Sequence, residues 1–255
     1  MTQPLVRIAH RGGGSLAPEN SLAGIERSLE FNLEMIEVDV RRTLDGHLVL
    51  SHDPAPHGSA IPVRHQTLAE LRAAHANIAT LYDAMELIGG RARMNLDIKD
   101  EDIADDVVAL VRARNAVEWC IASCLDAASL ARFGEIAPDI PRFFSYPRDR
   151  GGASQKAYMK PAVNAAVAYM RLTLPRRLQR MIAPLPGTNA TVYYKLLTPS
   201  LVTTAHRLGV SLYTWTIDDL DEMRRAVAMG VSGVTSNRPD LLAQLGAAPV
   251  VAQQR

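Results

Sequence analysis

Short β-branched runs alternate with amphipathic helical stretches along this chain, and that alternation limits the fold more than any other feature. Residues 5–9 form an apolar run with Val6 and Ile8, cut off at Gly12-Gly13-Gly14 before a helix could form. Behind it Leu22, Ile25 and Leu29 share one helical face, with Asn20 or Ser21 as N-cap. Residues 35–40 and 48–51 read as strands, as do 94–98, 119–123, 140–146, 211–216 and 233–235. Between them lie helical stripes: Ile103, Val107, Leu110 and Val111; a helix through Leu130 that stops near Pro138; one from Pro199 to a stop at Gly209; and 220–229, stopped at Gly230. Parallel alternation over 255 residues builds an open doubly wound sheet or a closed (β/α) barrel, and pattern alone does not separate them.

Residues 147–197 read less clearly. Residues 162–174 look helical, with Arg171, Arg176, Arg177 and Arg180 around the end, and 192–194 supply a missing strand. A basic amphipathic helix can lie weakly on anionic lipid, here through 160–180. A barrel helix with a solvated basic face is the plainer alternative. Residues 247–255 are expected to form a disordered tail behind a catalytic unit of 1–246.

Composition removes several classes. Lys+Arg 28 against Asp+Glu 27 gives a net charge of +1, which offers no bulk attraction to nucleic acid. Cys120 and Cys124 are too few for a disulfide framework or a four-thiolate zinc site, and are expected as buried apolar groups. With no signal-peptide pattern and no apolar run near the roughly 20 residues of a bilayer span, a cytoplasmic protein is expected.

The chemistry-bearing residues sit where these strands end. His10-Arg11-Gly12 follows the first strand, an arrangement suited to anion binding and proton transfer, with glycines freeing main-chain N–H groups. Glu37 and Asp39, two apart in an apolar strand, share one face. Buried there, they need a partner cation, and a hard divalent ion is the natural one. Asp45-Gly46 reads as a two-residue hairpin turn, which sets His52 across from Asp39, with Asp53 next to it. Asp97 and Lys99 alternate with Leu96 and Ile98, offering a third oxygen ligand and a cation for a negatively charged substrate. His47, His57, His65, His75 and His206 match no such pattern and are expected in loops or on polar faces.

Taken together, His10-Arg11-Gly12, Pro18-Glu19-Asn20-Ser21, Glu37-x-Asp39, His52-Asp53, Leu96-Asp97-Ile98-Lys99, Tyr213-Thr214-Trp215-Thr216 and the run from Gly230 to Pro239 resemble, in order, the motifs of the glycerophosphodiester phosphodiesterases. The resemblance spans essentially the whole chain and is weakest over 147–197. It implies a single-domain α/β protein, a (β/α)8 TIM barrel with a short hairpin-like insertion after the second strand, and metal-dependent hydrolysis of glycerophosphodiesters to glycerol 3-phosphate and an alcohol. By position it implies His10 and His52 as the acid–base pair and Glu37, Asp39 and Asp97 as ligands of one divalent metal ion, Mg²⁺ or Ca²⁺. Arg11 would contact phosphate, and Glu19, Asn20, Lys99 and Trp215 would line the substrate site. His10 is the expected base and His52 the expected acid of the first step, an order that sequence leaves reversible.

Three positions depart from the family pattern. Ser21 stands for Thr, and Asp97 for Glu, which shortens the reach to the metal; sphingomyelinase D-type phospholipases carry Asp there too. The segment 53–67 is short where some relatives insert a subdomain. Two alternatives remain: phospholipase D-type cleavage of lysophospholipid or sphingomyelin head groups at the same site, and a barrel that binds phosphodiesters without turnover. The partner is a small-molecule phosphodiester rather than nucleic acid, and the oligomeric state is not readable.

Overall fold

The computed structural model describes residues 4–148 and 156–246; the expected tail at 247–255 lies outside them. Among the described residues nine strands form: β1 (Val6–Ala9), β2 (Met35–Arg42), β3 (Leu48–Leu50), β4 (Arg93–Ile98), β5 (Cys120–Cys124), β6 (Arg142–Tyr146), β7 (Thr188–Tyr193), β8 (Leu212–Trp215) and β9 (Gly233–Ser236). Around them run α1 (Leu22–Leu29), α2 (Leu68–Ala74), α3 (Leu81–Ile88), α4 (Ala104–Ala113), α5 (Ala127–Ile136), α6 (Lys160–Ile182), α7 (Pro199–Arg207), α8 (Leu220–Ala228) and α9 (Pro239–Leu242). All strands but β3 are parallel to their neighbours, and β1 pairs with both β9 and β2. The ring is closed, which decides for the eight-stranded barrel; β3 hangs antiparallel on β2. Side chains of Ser21, Thr67, Thr80, Asp126, Thr198 and Asp219 cap helices by accepting from the backbone N–H three residues on.

Pleat parity divides the barrel interior into two layers. Val6, Ile8, Met35, Ile121, Phe143 and Tyr213 pack into a plug, with the Phe143 and Tyr213 rings stacked 4.4 Å apart. Gly233 makes room for that ring, because a Cβ there would stand 2.6 Å from both Tyr213 Cδ1 and the Val6 carbonyl. Two residues further along the strands, His10, Glu37, Ser123, Ser145, Trp215 and Thr235 face a pocket. Apolar closure below and polar residues above put the site at the C-terminal end of the strands, as in barrel enzymes generally.

Three expectations need correction. The Asp45-Gly46 hairpin closes with a three-residue loop, not two. Thr43 N–H donates to the His47 carbonyl at 2.9 Å, and Gly46 takes φ +85° as a bulge residue. Val40 therefore faces Leu50, and Asp39 faces Ser51, whose N–H reaches the Asp39 carbonyl at 3.0 Å; His52 lies beyond the strand. The helix expected to end at 174 runs through Pro175 to Ile182, because Leu174 and Leu178 bury on either side of the proline and offset its lost hydrogen bond. The seventh barrel strand starts at Thr188, ahead of the expected 192–194. Helices α2 and α3, which follow the hairpin, were not anticipated. Among the described residues no helix is long and apolar enough to cross a membrane.

Candidate active site

The chain turns sharply after β1. Arg11 lies at φ 51°, with Gly12 and Gly13 also at positive φ. A Cβ on Gly13 would stand 2.1 Å from Ser28 Oγ, so glycine alone fits there. The turn points His10 and Arg11 into the pocket and brings the Arg11 N–H to Glu37 Oε2 at 2.7 Å. The Arg11 guanidinium bonds Glu19 at 2.7 Å and lies 3.4 Å from Asp39, its Nε buried without a hydrogen-bond partner.

Parallel register sets the carboxylates side by side: Glu37 beside Asn95 and Asp39 beside Asp97. Glu37, Asp39 and Asp97 each present an oxygen within 4.8 Å of the others. Burial, then Asp39 and Asp97, push Glu37 well above its usual range. Burial alone would also raise Asp39, but Lys99 and then Arg11 hold it below the usual carboxylate range. Lys99, raised by the three acids against the opposing effect of burial, bonds Asp97 and stands 2.8 Å from Asp39 Oδ1. That approach is a buried ion pair, which leaves the oxygen a further lone pair to accept with. Three crowded carboxylates forming an all-oxygen donor set fit a hard divalent cation. Asp97, though shorter than Glu, is held toward its neighbours by Ser123 Oγ at 3.1 Å and by Lys99.

The two histidines are held differently. His10 Nδ1 lies 2.7 Å from Asn237 Oδ1. Asn237 is itself fixed by Asp218, which accepts from its Nδ2 and its backbone N–H, both at 2.8 Å. An ionised carboxylate only accepts, so the amide must turn Nδ2 to Asp218 and its oxygen to His10. His10 therefore carries its proton on Nδ1, and Nε2, 3.9 Å from Glu37, is the open acceptor. Burial, followed by the Arg11 charge, lowers His10 to about 4, which favours the neutral ring. His52 is one-third exposed, with Nδ1 2.9 Å from Asp53 Oδ1. Its carbonyl accepts from Arg41 Nε and Nη2 at 3.2 and 2.7 Å, and Asp100 holds that guanidinium at 2.6 Å. This clamp, not the pleat, sets His52 at the pocket.

One pocket of about 140 Å³ gathers His10, Arg11, Glu37, His52, Asp97, Lys99 and Trp215. Trp215 Nε1 and Asn95 Oδ1 are buried there without hydrogen-bond partners. Asn20 lines the adjoining cleft, and its amide exchanges bonds of 2.7 and 3.0 Å with Asp39. Glu19 pairs with Arg11 and lines the adjoining cleft of about 370 Å³. Sequence reasoning missed the contributions of Asn95, Ser145, Thr191 and Thr235 to the wall; period-two reading from each plug residue would have found most of them.

A closed barrel whose mouth gathers two histidines, three acids and two cations is the framework of a barrel hydrolase acting on phosphate esters. The family model of the glycerophosphoryl diester phosphodiesterases matches residues 10–241, and the chain belongs to that family of phosphoric diester hydrolases. It is 27% identical to the glycerophosphodiester phosphodiesterase of Caldanaerobacter subterraneus subsp. tengcongensis, over 93% of this chain and 96% of the relative. It is 26% identical to probable glycerophosphodiester phosphodiesterase 2 of Mycobacterium tuberculosis, over 93% and 89%. Among solved structures it superposes on a Silicibacter pomeroyi putative glycerophosphoryl diester phosphodiesterase with TM-score 0.77 at 22% identity, covering 97% and 95% of the two chains. An Oleispira antarctica phosphodiesterase, solved with the product sn-glycerol-3-phosphate, gives TM-score 0.75 at 20% identity over 95% and 98%.

Proposed function

We propose that this enzyme, with 1–246 as its catalytic unit, hydrolyses glycerophosphodiesters to glycerol 3-phosphate and an alcohol by acid–base catalysis between His10 and His52. The observation that carries the reading is the lining of a single pocket by both imidazoles, Glu37, Asp97, Arg11 and Lys99, with an Asp39 oxygen within 4.8 Å of those of the other two acids. Glu37, Asp39 and Asp97 would hold one divalent ion, Mg²⁺ or Ca²⁺, which supplies positive charge for the non-bridging phosphate oxygens. Arg11 and Lys99 add fixed cations for the same charge. His10, protonated on Nδ1, takes the proton of the glycerol 2-hydroxyl at Nε2. As that oxygen bonds phosphorus, the bond to the alcohol breaks and His52 donates a proton to the departing oxygen. Water then opens the cyclic phosphate with the two roles exchanged. Asn20 keeps Asp39 oriented, and Trp215 closes the wall beside the glycerol. The small pocket, lined mostly by charged, amide and hydroxyl side chains, favours a water-soluble diester over an acylated one, and two free buried thiols suit a cytoplasmic setting.

Release of glycerol 3-phosphate from glycerophosphocholine with Mg²⁺ or Ca²⁺ tests this directly. His10→Ala and His52→Ala should each lower turnover by at least about 10²-fold, and a chelator should abolish it. Activity that survives both substitutions, or that ignores chelation, sinks the reading. Lysophosphatidylcholine hydrolysed faster than glycerophosphocholine would favour the lipid-cleaving alternative.

A further inference from the structure

Helix α6 has 23 residues where α4 and α5 span the barrel with ten each. At 1.5 Å per residue it is about 34 Å long. Its fully buried side chains, Leu174 and Leu178, both lie in its second half, which leads down to β7. Because α6 follows β6 and leads back to the start of β7, its first half lies on the side of the barrel where the strands end and the pocket opens. Among the described residues, its partly covered side chains are the stripe Val163, Val167 and Met170.

A second apolar stripe runs along the opposite side. At 100° per residue, Ala162, Ala165, Tyr169 and Leu172 point away from the packed stripe, and Arg176 and Arg180 continue the same line. Tyr169 is 62% and Leu172 80% exposed, and Tyr158, just ahead of the helix, is 77% exposed. Large apolar groups left this open in a row form a contact surface rather than scatter.

The charge around them is one-sided. From 150 to 217 the sequence has nine basic residues and no Asp or Glu, in a chain whose net charge is only +1. Among the described residues, none of Lys156, Lys160, Arg171, Arg176, Arg177 and Arg180 pairs with a carboxylate. Isologous packing of two copies would set these like charges against each other, whereas an anionic bilayer complements both the aromatic groups and the cations.

We propose that the outer face of α6 docks the enzyme reversibly on anionic phospholipid surfaces. Tyr158, Tyr169 and Leu172 enter the head-group region while Arg176 and Arg180 meet lipid phosphates, and the mouth of the barrel faces the bilayer. The purified full chain should co-sediment with vesicles of phosphatidylcholine mixed with phosphatidylglycerol, and not with phosphatidylcholine alone. Bound fraction should fall as salt rises. The double variants Tyr169→Ser/Leu172→Ser and Arg176→Glu/Arg180→Glu should each weaken binding at least about tenfold, as expected when apolar burial or phosphate attraction is removed. Turnover of soluble glycerophosphocholine should be unchanged in both, so docking and active-site chemistry fail independently. Equal binding to neutral vesicles overturns the proposal, as does undiminished binding by either variant. So does sedimentation velocity showing a dimer that Tyr169→Ser/Leu172→Ser separates.

Discussion

In the proposed mechanism Asn237 would act at one remove: it touches no reacting atom but holds His10 Nδ1 and so leaves Nε2 free. Replacing it with Ala leaves the ring to choose its tautomer and orientation, and kcat should drop by about 10²-fold, part of the loss seen when a tautomer is set wrongly. KM should shift much less, and steady-state kinetics on glycerophosphocholine separates the two. An unchanged kcat would remove the asparagine from the mechanism. Arg41 stands in the same relation to His52, through the carbonyl rather than the ring. Arg41→Met should slow release of choline about 10- to 100-fold, as misplacing a general acid does. A glycerol nitrophenyl phosphodiester, whose leaving group departs without a proton, should release nitrophenol in its first turnover at nearly the normal rate. His52→Ala must show the same dependence on leaving group; equal losses on both substrates would make Arg41 merely structural. His10, Glu37, Asp39 and His52 were legible because their chemistry is conspicuous inside short apolar strands. Asp218 and Asp100 were not, because each gains its role only when folding carries it to a partner 19 or 59 residues away.

At the level of the element, the β2–β3 hairpin was recognised and its register missed by one residue. Asp45-Gly46 signals a turn, but Thr43 is the residue that sets its length. The Thr43 hydroxyl donates to Asp45 at 2.6 Å and accepts from the His47 N–H at 2.9 Å, so three residues fit inside. Gly46 then bears the positive φ with nothing within 4 Å of where a Cβ would stand. Gly46→Ala should therefore cost only the backbone strain, about 1–2 kcal/mol, read as a Tm lowered by a few degrees with activity kept. Gly233→Ala carries the opposite burden, space without positive φ, and should cost roughly 1–3 kcal/mol by overpacking. If the two variants melt alike but Gly46→Ala also loses turnover, the hairpin does more for His52 than hold its register. Helix α6 escaped the sequence for a related reason. A proline signals an end, and only the burial of Leu174 and Leu178 on both sides of it shows that the helix continues.

Across the whole molecule, alternation of strands and helices was visible in the sequence, but barrel closure was not, because it depends on β1 finding both β2 and β9. Near the bottom of that seam a side chain replaces the ladder. Glu34 accepts from the Arg7 backbone N–H at 2.8 Å and from its guanidinium at 2.9 and 2.8 Å, with Arg7 buried. Burial by itself would raise the Glu34 carboxyl, yet the Arg7 hydrogen bonds outweigh it and hold the group below its usual 4.5. A carboxyl with a lowered folded value binds fewer protons folded than unfolded, so stability rises with pH across that interval. The contribution of the pair is complete above 4.5 and is lost as pH falls through the lower folded value. Glu34→Gln keeps the shape and removes the charge. It should be less stable than the parent by roughly 1–3 kcal/mol at neutral pH, the range for hydrogen bonds to a charged group. Urea unfolding repeated at stepwise lower pH should show the two midpoints converging below 4.5. A gap that persists unchanged into strong acid would mean that the seam is held by shape alone, and that closure of the ring owes nothing to this ion pair.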